Sequence, residues 1–292
     1  MAAQAFVDGL IRRQSWMDGV AEKVQGLVGA AYGALGPRGK QIKNLMHGTA
    51  VLGHPLHPAV TDVPIGAWLT GLVADTTGQR GAGDTALVVG LGAATLAALS
   101  GYTDFHETYG QERRIALAHG AAMTTATALM AGSLLLRVAG GNGPRRKAKA
   151  LSAAGLALTM ASGYLGGDLV FGIGTMVNRN AFLEAPEDFV DVGASGDFPE
   201  GAMRRVQAGA AAVLVVRQSG RLLGIGAVCS HAGGPLDEGE LADGCVTCPW
   251  HGSRFRLSDG GVVDGPATFS QPPFAVREHD GRVEVKVGIP LH

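Results

Sequence analysis

Residues 228–255 read VCSHAGGPLDEGELADGCVTCPWHGSRF, and two short loops inside this stretch decide how the C-terminal third of the chain is read. Cys229 and His231 open it, sixteen residues follow, and Cys248 and His251 close it. Each loop delivers one thiol and one imidazole, so two compact turns offer two sulfur and two nitrogen donors. The three cysteines of the chain, Cys229, Cys245 and Cys248, all lie within one 20-residue window. An odd, clustered count favours a metal site over a disulfide framework. Cys245 reads as a small buried hydrophobe.

An S₂N₂ donor set suits tetrahedral zinc as well as a 2Fe-2S cluster in which one iron takes both thiolates and the other both imidazoles. The flanks discriminate. Gly233-Gly234 follows the first loop, Gly252-Ser253-Arg254-Phe255 the second, and Gly260 to Ala267 reads GGVVDGPA. With its C-x-H and C-P-x-H-G-x-x-F loops and its G-P-A turn, the segment from about 190 to 288 resembles the Rieske family. The resemblance implies a 2Fe-2S cluster on Cys229, His231, Cys248 and His251, and an electron-transfer role toward a redox partner protein. Respiratory members carry an additional cysteine in each loop, joined as a disulfide. Here those positions are Gly234 and Trp250, which brings the segment nearer to Rieske-type ferredoxins and oxygenase cluster domains. Ser253 matches a serine that hydrogen-bonds a cluster sulfide, and Phe255 replaces a tyrosine. With Trp250 these are the positions expected to tune the potential, to an intermediate value.

Around the loops, short alternating runs such as Ala212–Val216 and Val283–Val287 are separated by glycine-rich turns, the pattern of a small all-β sandwich or barrel. The β domain is expected over 190–292, behind a polar linker at 179–189.

Upstream the chain changes character. Charged residues are 17% of the 292, against about 25% in an ordinary soluble domain. Nineteen residues between Asp84 and Asp104, 22 between Arg114 and Arg137, and 18 between Lys149 and Asp168 lack Asp, Glu, Lys and Arg. A bilayer core of about 30 Å takes roughly 20 apolar residues as a helix, so three membrane spans are expected. A fourth, first in order, is expected from about Pro58 to Thr76, although only the 12 residues Val63–Ala74 are free of charge. The stretch Gly53-His54-Pro55-Leu56-His57-Pro58-Ala59-Val60-Thr61-Asp62-Val63-Pro64-Ile65-Gly66 opens it. It resembles an uncharacterised bacterial family of four-helix membrane domains, sometimes fused to a Rieske domain. That likeness covers about 48–178 and implies architecture, with no activity attached. The fold class expected is thus a multi-domain chain, a four-span helical bundle followed by an all-β Rieske domain. Residues 1–47, mixing Arg12, Arg13 and Lys23 with Leu10, Ile11 and Trp16, read either as a membrane-surface helix or as a solvated one.

With four spans, His54, His57, Asp62, Asp104, His106, His119 and Asp168 fall at one membrane face, the face from which the β domain leaves. Ionisable residues in spans point to function. His57 and His119 on the first and third helices suit a b-type haem. The set His54, His57, Asp62, His119 and Asp168 equally suits a quinone site in which a carboxylate takes the proton. Helix capping accounts for His54 and His106 without either.

The net charge of -1 gives no reason to expect nucleic acid as a partner. The function expected is a membrane-anchored carrier passing single electrons between a quinone or haem in the bilayer and a partner protein. The alternatives are a subunit of a quinol-oxidising or oxygenase system and a redox sensor. No mononuclear iron domain follows the β segment, so a complete oxygenase is not expected. Arg38, Lys40, Lys43, Arg113, Arg114 and Arg179 flank the spans on the terminal side and Arg80, Arg137, Arg145, Arg146, Lys147 and Lys149 on the other, a tie under the positive-inside rule. Arg12, Arg13 and Lys23, with the missing loop disulfide, tilt the expectation to a multi-pass protein of the bacterial cell membrane with a cytoplasmic Rieske domain. Arg145-Arg146 read as an export signal would reverse it.

Overall fold

The computed structural model describes residues 7–49 and 51–288; the outermost residues of the N-terminal segment and of the β domain lie outside these. Two units divide the chain. One comprises the residues up to Met46 with Pro55–Thr175, the other His47–His54 with Met176–His292. The membrane-domain boundary drawn at residue 48 therefore shifts, since residues 47–54 belong with the β unit. Nor is 179–189 a free linker. The Arg179 N–H donates to Ser230 O at 3.1 Å, the Asn180 amide donates to Val228 O at 2.9 Å, and Leu183 and Ala185 pack on a β-domain core. Its polar composition reflects side chains that tie down a strandless backbone.

The helical unit contains α1 (Trp16–Ala34), α2 (Pro37–His47), α3 (Leu56–Thr76), α4 (Arg80–Phe105), α5 (Gly110–Val138) and α6 (Asn142–Gly167), the last prolonged by a π-helical turn to Ile173. Helices α3 to α6 form an up-and-down bundle in which α3 packs on α4 and α6, and α5 likewise. Three of them, α4, α5 and α6 with its extension, are long and apolar enough to cross a membrane. The fourth expected span falls short of that mark, because α3 carries His57, Asp62, Pro64 and Asp75 within 21 residues.

Polarity in the bundle is inverted relative to a water-soluble protein. Only 22–28% of each apolar span window is buried. Leu69, Val73, Val88, Val89, Leu99, Leu135 and Met160 face outward, while Ser100, Thr103, Ser133, Ser152, Thr159 and Ser162 are buried. Asp75 and Arg137 are buried against each other, with side chains 0% and 3% exposed and one contact at 3.0 Å; Asp84 joins Arg137 at 2.8 Å. Arg137, counted in the sequence among loop charges, thus belongs to the interior.

The inward-facing positions, buried or partly buried, also repeat. His57 and His119, Trp68 and Met130, Leu72 and Leu134, Asp75 and Arg137 are each 62 positions apart on α3 and α5. Gly90 and Gly155, Leu91 and Leu156, Ala94 and Thr159, Ala97 and Ser162 are each 65 apart on α4 and α6. Equivalent residues meet: Trp68 and Met130 share one core cluster, and Asp75 pairs with Arg137. The second hairpin of the bundle therefore repeats the inward-facing spacing of the first, as a pseudo-two-fold arrangement would.

The N-terminal helices are neither free in solvent nor unpartnered. Arg114 Nε donates to Asp18 at 2.9 Å, and Gln25 donates to Phe105 O at 2.9 Å and Thr108 O at 3.0 Å. Lys43 pairs with Glu107. The Gln25 bond to Phe105 O supplies a donor to the carbonyl that ends α4.

In the β unit, β1 (Val190–Ala194), β2 (Met203–Ala208), β3 (Ala211–Gln218), β4 (Arg221–Gly226), β9 (Pro273–His279) and β10 (Arg282–Val287) form a six-stranded antiparallel sheet in the order β1-β10-β9-β4-β3-β2, and β5 (Glu240–Ala242), β6 (Cys245–Thr247), β7 (Arg254–Arg256) and β8 (Val262–Asp264) a four-stranded one in the order β5-β6-β7-β8. Strand β3 (Ala211–Gln218) is the shared wall. Alternation along a strand sends Leu214 and Val216 into one core with Ile225, Leu236, Val246 and Phe255, and Val213 and Val215 into another with Phe198, Phe274 and Val283. Cys229 and Cys248 belong to the first core.

Candidate metal centre

The loop after β4 (Arg221–Gly226) and the loop between β6 (Cys245–Thr247) and β7 (Arg254–Arg256) have the same backbone design. The Cys229 N–H donates to Gly234 O and the Cys248 N–H to Ser253 O, both at 2.8 Å. In return Cys229 O accepts from Gly233 N at 2.9 Å and Cys248 O from Gly252 N at 3.1 Å. Each loop closes on itself through a glycine four residues after its cysteine, at φ 85° for Gly233 and 73° for Gly252, a left-handed conformation that glycine adopts without steric cost.

This turn aims backbone N–H groups at sulfur. His231 and Ala232 donate to Cys229, and Trp250 and His251 donate to Cys248. The two thiols also hydrogen-bond to each other, which lowers Cys248 to about 6 and raises Cys229. Amides directed at both sulfurs stabilise anionic thiolates. His231 and His251 stand edge to face with ring centres 4.8 Å apart, partly exposed where the cysteines are buried. All four residues of the expected ligand set thus converge. Cys245 is buried on β6 and Cys245 Sγ donates to Asp243 O at 3.6 Å, away from the set.

The tuning positions converge too. A Cβ on Gly234 would sit 2.8 Å from Cys248 Sγ and 3.1 Å from the Trp250 ring, so the first loop rests directly on the second, and Trp250 covers their junction while remaining 54% exposed. Ser253 is fully buried and its hydroxyl oxygen accepts from Ala267 N–H at 3.0 Å, which leaves the O–H itself to donate. Phe255 is buried in the core.

Buried paired thiols inside an amide cradle, two neighbouring imidazoles and a spare serine donor fit a mixed Cys–His iron–sulfur cluster. The comparisons with known proteins agree. Residues 188–275 match the family model described as Rieske [2Fe-2S] domain. The anthranilate 1,2-dioxygenase ferredoxin subunit of Burkholderia cepacia is 34% identical over 97 residues, which are 33% of this chain and 90% of that protein. The chain belongs to the Rieske [2Fe-2S] family. Its Rieske domain is also similar to human apoptosis-inducing factor 3, at 36% identity over 35% of this chain and 17% of that protein. The cytochrome b6-f complex iron-sulfur subunit of Chlorobaculum tepidum is 31% identical, over 33% of this chain and 52% of that one. The chain thus spans about half or less of these last two proteins. A solved complex of reduced oxygenase and oxidized ferredoxin in carbazole 1,9a-dioxygenase contains a chain matched at 30% identity, over 36% of this chain and 99% of that one, with TM-score 0.34. Residues 53–179 match the family described as Predicted membrane protein (DUF2231). The chain thus carries a Rieske [2Fe-2S] domain behind a helical region that matches a predicted membrane family.

Of the residues expected at a second site in the helical unit, only His57 and His119 come together, with ring centres 6.2 Å apart. His54 is exposed and belongs to the β unit. Asp62 is exposed on α3, and Asp168 is held by Arg12 at 2.6 Å. A shared membrane face collected all five in sequence, but the helical rotation of each position and the arginine of the N-terminal turn separate them. The Asp75–Arg137 pair was missed, and the 62-residue repeat was the signal that would have found it.

Proposed function

We propose that this protein is a membrane-anchored Rieske electron carrier, with Cys229 and Cys248 on one iron, His231 and His251 on the other, and a redox partner protein docking at the histidine edge. The cluster supplies one-electron redox chemistry when bound. The chain's own residues hold it: the buried cysteines fix it in the core, the loop amides offset thiolate charge, Ser253 directs a donor into the cavity, and the two imidazoles bring it to the surface. Anchoring rests on the inverted polarity of α3 to α6, since outward Leu and Val with inward Ser and Thr is stable in lipid and unstable in water. On this reading α3 completes a fourth span, its polar residues facing its neighbours. With Arg137 withdrawn into the interior, the positive-inside tie breaks toward termini inside, so the Rieske domain is cytoplasmic.

Full-length protein should resist carbonate extraction from membranes and give a rhombic Rieske EPR signal with an iron-to-protein ratio near two. Cys248→Ser and His251→Ala should each abolish the signal. A zinc-loaded, EPR-silent preparation from an iron-replete host would overturn the ligand assignment. Cleavage of the Rieske domain by protease added to intact spheroplasts would overturn the orientation.

A further inference from the structure

His57 and His119 are equivalent positions of the two hairpins, and their surroundings repeat as closely as their spacing. His57 Nδ1 lies 2.8 Å from Ala97 O on α4, and His119 Nδ1 lies 3.0 Å from Ser162 O on α6. Ala97 and Ser162 are themselves an equivalent pair. Four residues farther along, Gly101 and Gly166 face the same rings, where a Cβ would come within 2.8 Å of His57 and 3.3 Å of His119. Each helix of the bundle therefore contributes: two supply an imidazole, two supply the carbonyl that orients it and the glycine that admits it.

A backbone carbonyl accepts only from a protonated Nδ1. The Ala97 carbonyl thereby sets His57 as the tautomer whose Nε2 carries a lone pair, the state in which histidine ligates metal; the Ser162 carbonyl favours the same tautomer of His119, whose Nδ1 also lies 2.9 Å from Ser162 Oγ. Among the described residues, the ring hydrogen bonds of both histidines are made by Nδ1 alone. Two imidazoles on opposite sides of one metal, each bound at about 2.0–2.1 Å, hold their ring centres roughly 6.3 Å apart. The observed separation is 6.2 Å with the planes at 82°, which matches that spacing. No group of three or more His, Cys, Asp or Glu suited to a metal ion occurs among the described residues, and two imidazoles suit an iron whose other four ligands come with a macrocycle.

We propose that His57 and His119 are the axial ligands of a haem iron on the pseudo-two-fold axis of the bundle. This deepens the membrane-carrier reading, giving the helical unit a one-electron cofactor of its own, and it stands apart from the cluster assignment. The carbonyls of Ala97 and Ser162 act through the histidines, as positioning groups.

The test uses the full chain, expressed with ample haem precursor and purified in mild detergent. Pyridine haemochrome analysis should give one b-type haem per chain, with a six-coordinate low-spin spectrum. His57→Ala and His119→Ala should each lower the haem content at least tenfold while the Rieske EPR signal persists, and Gly101→Ala should lower it by crowding His57. Hemin titrated into haem-free wild-type protein should restore the low-spin spectrum. The proposal is overturned by wild-type protein that stays haem-free on hemin titration, by haem retained in both histidine variants, or by stoichiometric copper or zinc or a bound quinone lost on His57→Ala instead. A missing Rieske signal or extraction by carbonate would strike the preceding reading and leave the haem stoichiometry to be read separately.

Discussion

Gly234→Ala puts one methyl group where the two cluster loops touch. The new Cβ would lie 2.8 Å from Cys248 Sγ and 3.1 Å from two ring atoms of Trp250. Carbon contacts are comfortable at about 3.5–4.0 Å, so the loops must part by most of an ångström. The Trp250 side chain can move outward, being half exposed, but the sulfur cannot, because it is held by the amides of Trp250 and His251 and packed in the core. Overpacking of this kind costs about 1–3 kcal/mol. In a domain of about 100 residues each kcal/mol lowers Tm by about 4–8 °C, so a fall of roughly 5–20 °C is expected. Thermal bleaching of the visible Rieske band in the full-length protein reads it directly. Gly196→Ala is the control, since nothing lies within 4 Å of its Cβ position, and it should leave the bleaching temperature unchanged. A Gly234→Ala protein that bleaches within about 1 °C of wild type would refute the claim that the first loop rests on the second ligand.

Other perturbations report on other contacts. Asp75→Leu removes the fully buried partner of Arg137 and leaves it the half-exposed Asp84, which should cost about 3 kcal/mol, the low end for breaking a buried pair, whereas Asp75→Leu with Arg137→Met should recover most of the loss; detergent melting of single and double variants checks this. Ser253→Ala should lower the midpoint potential, as removal of a donor to the cluster cavity does, and an unchanged potential in a redox titration would count against that donor role. Cys245→Ser should keep the full EPR signal. Burial pushes Glu107 up, but the His106 hydrogen bond and the Lys43 charge bring it to about 2. Since this carboxyl is held below its unfolded value of about 4.3, its contribution is complete above that pH and lost as pH falls toward 2. Hydrogen exchange in α2 should therefore accelerate over that window, and Glu107→Gln should remove the dependence.

The Rieske domain was legible in the sequence because its chemistry is local. A cysteine, a histidine two or three residues on and a glycine at a fixed offset make one self-closed loop, and that loop recurs nineteen residues later. The apolar spans were legible for a similar reason: thickness of hydrocarbon translates into a count of residues. What only the tertiary structure decided depends on rotation about helix axes and on partners far apart in the chain. It selected His57 and His119 from five candidates, since tenths of a helical turn separate a side chain at the bundle axis from one at its surface. It turned Arg137 from a topological charge into the partner of Asp75, 62 residues away. It also moved residues 47–54 to the β unit, where Thr49 donates to Ala267 O at 2.9 Å, a bond across 218 positions that no local pattern encodes.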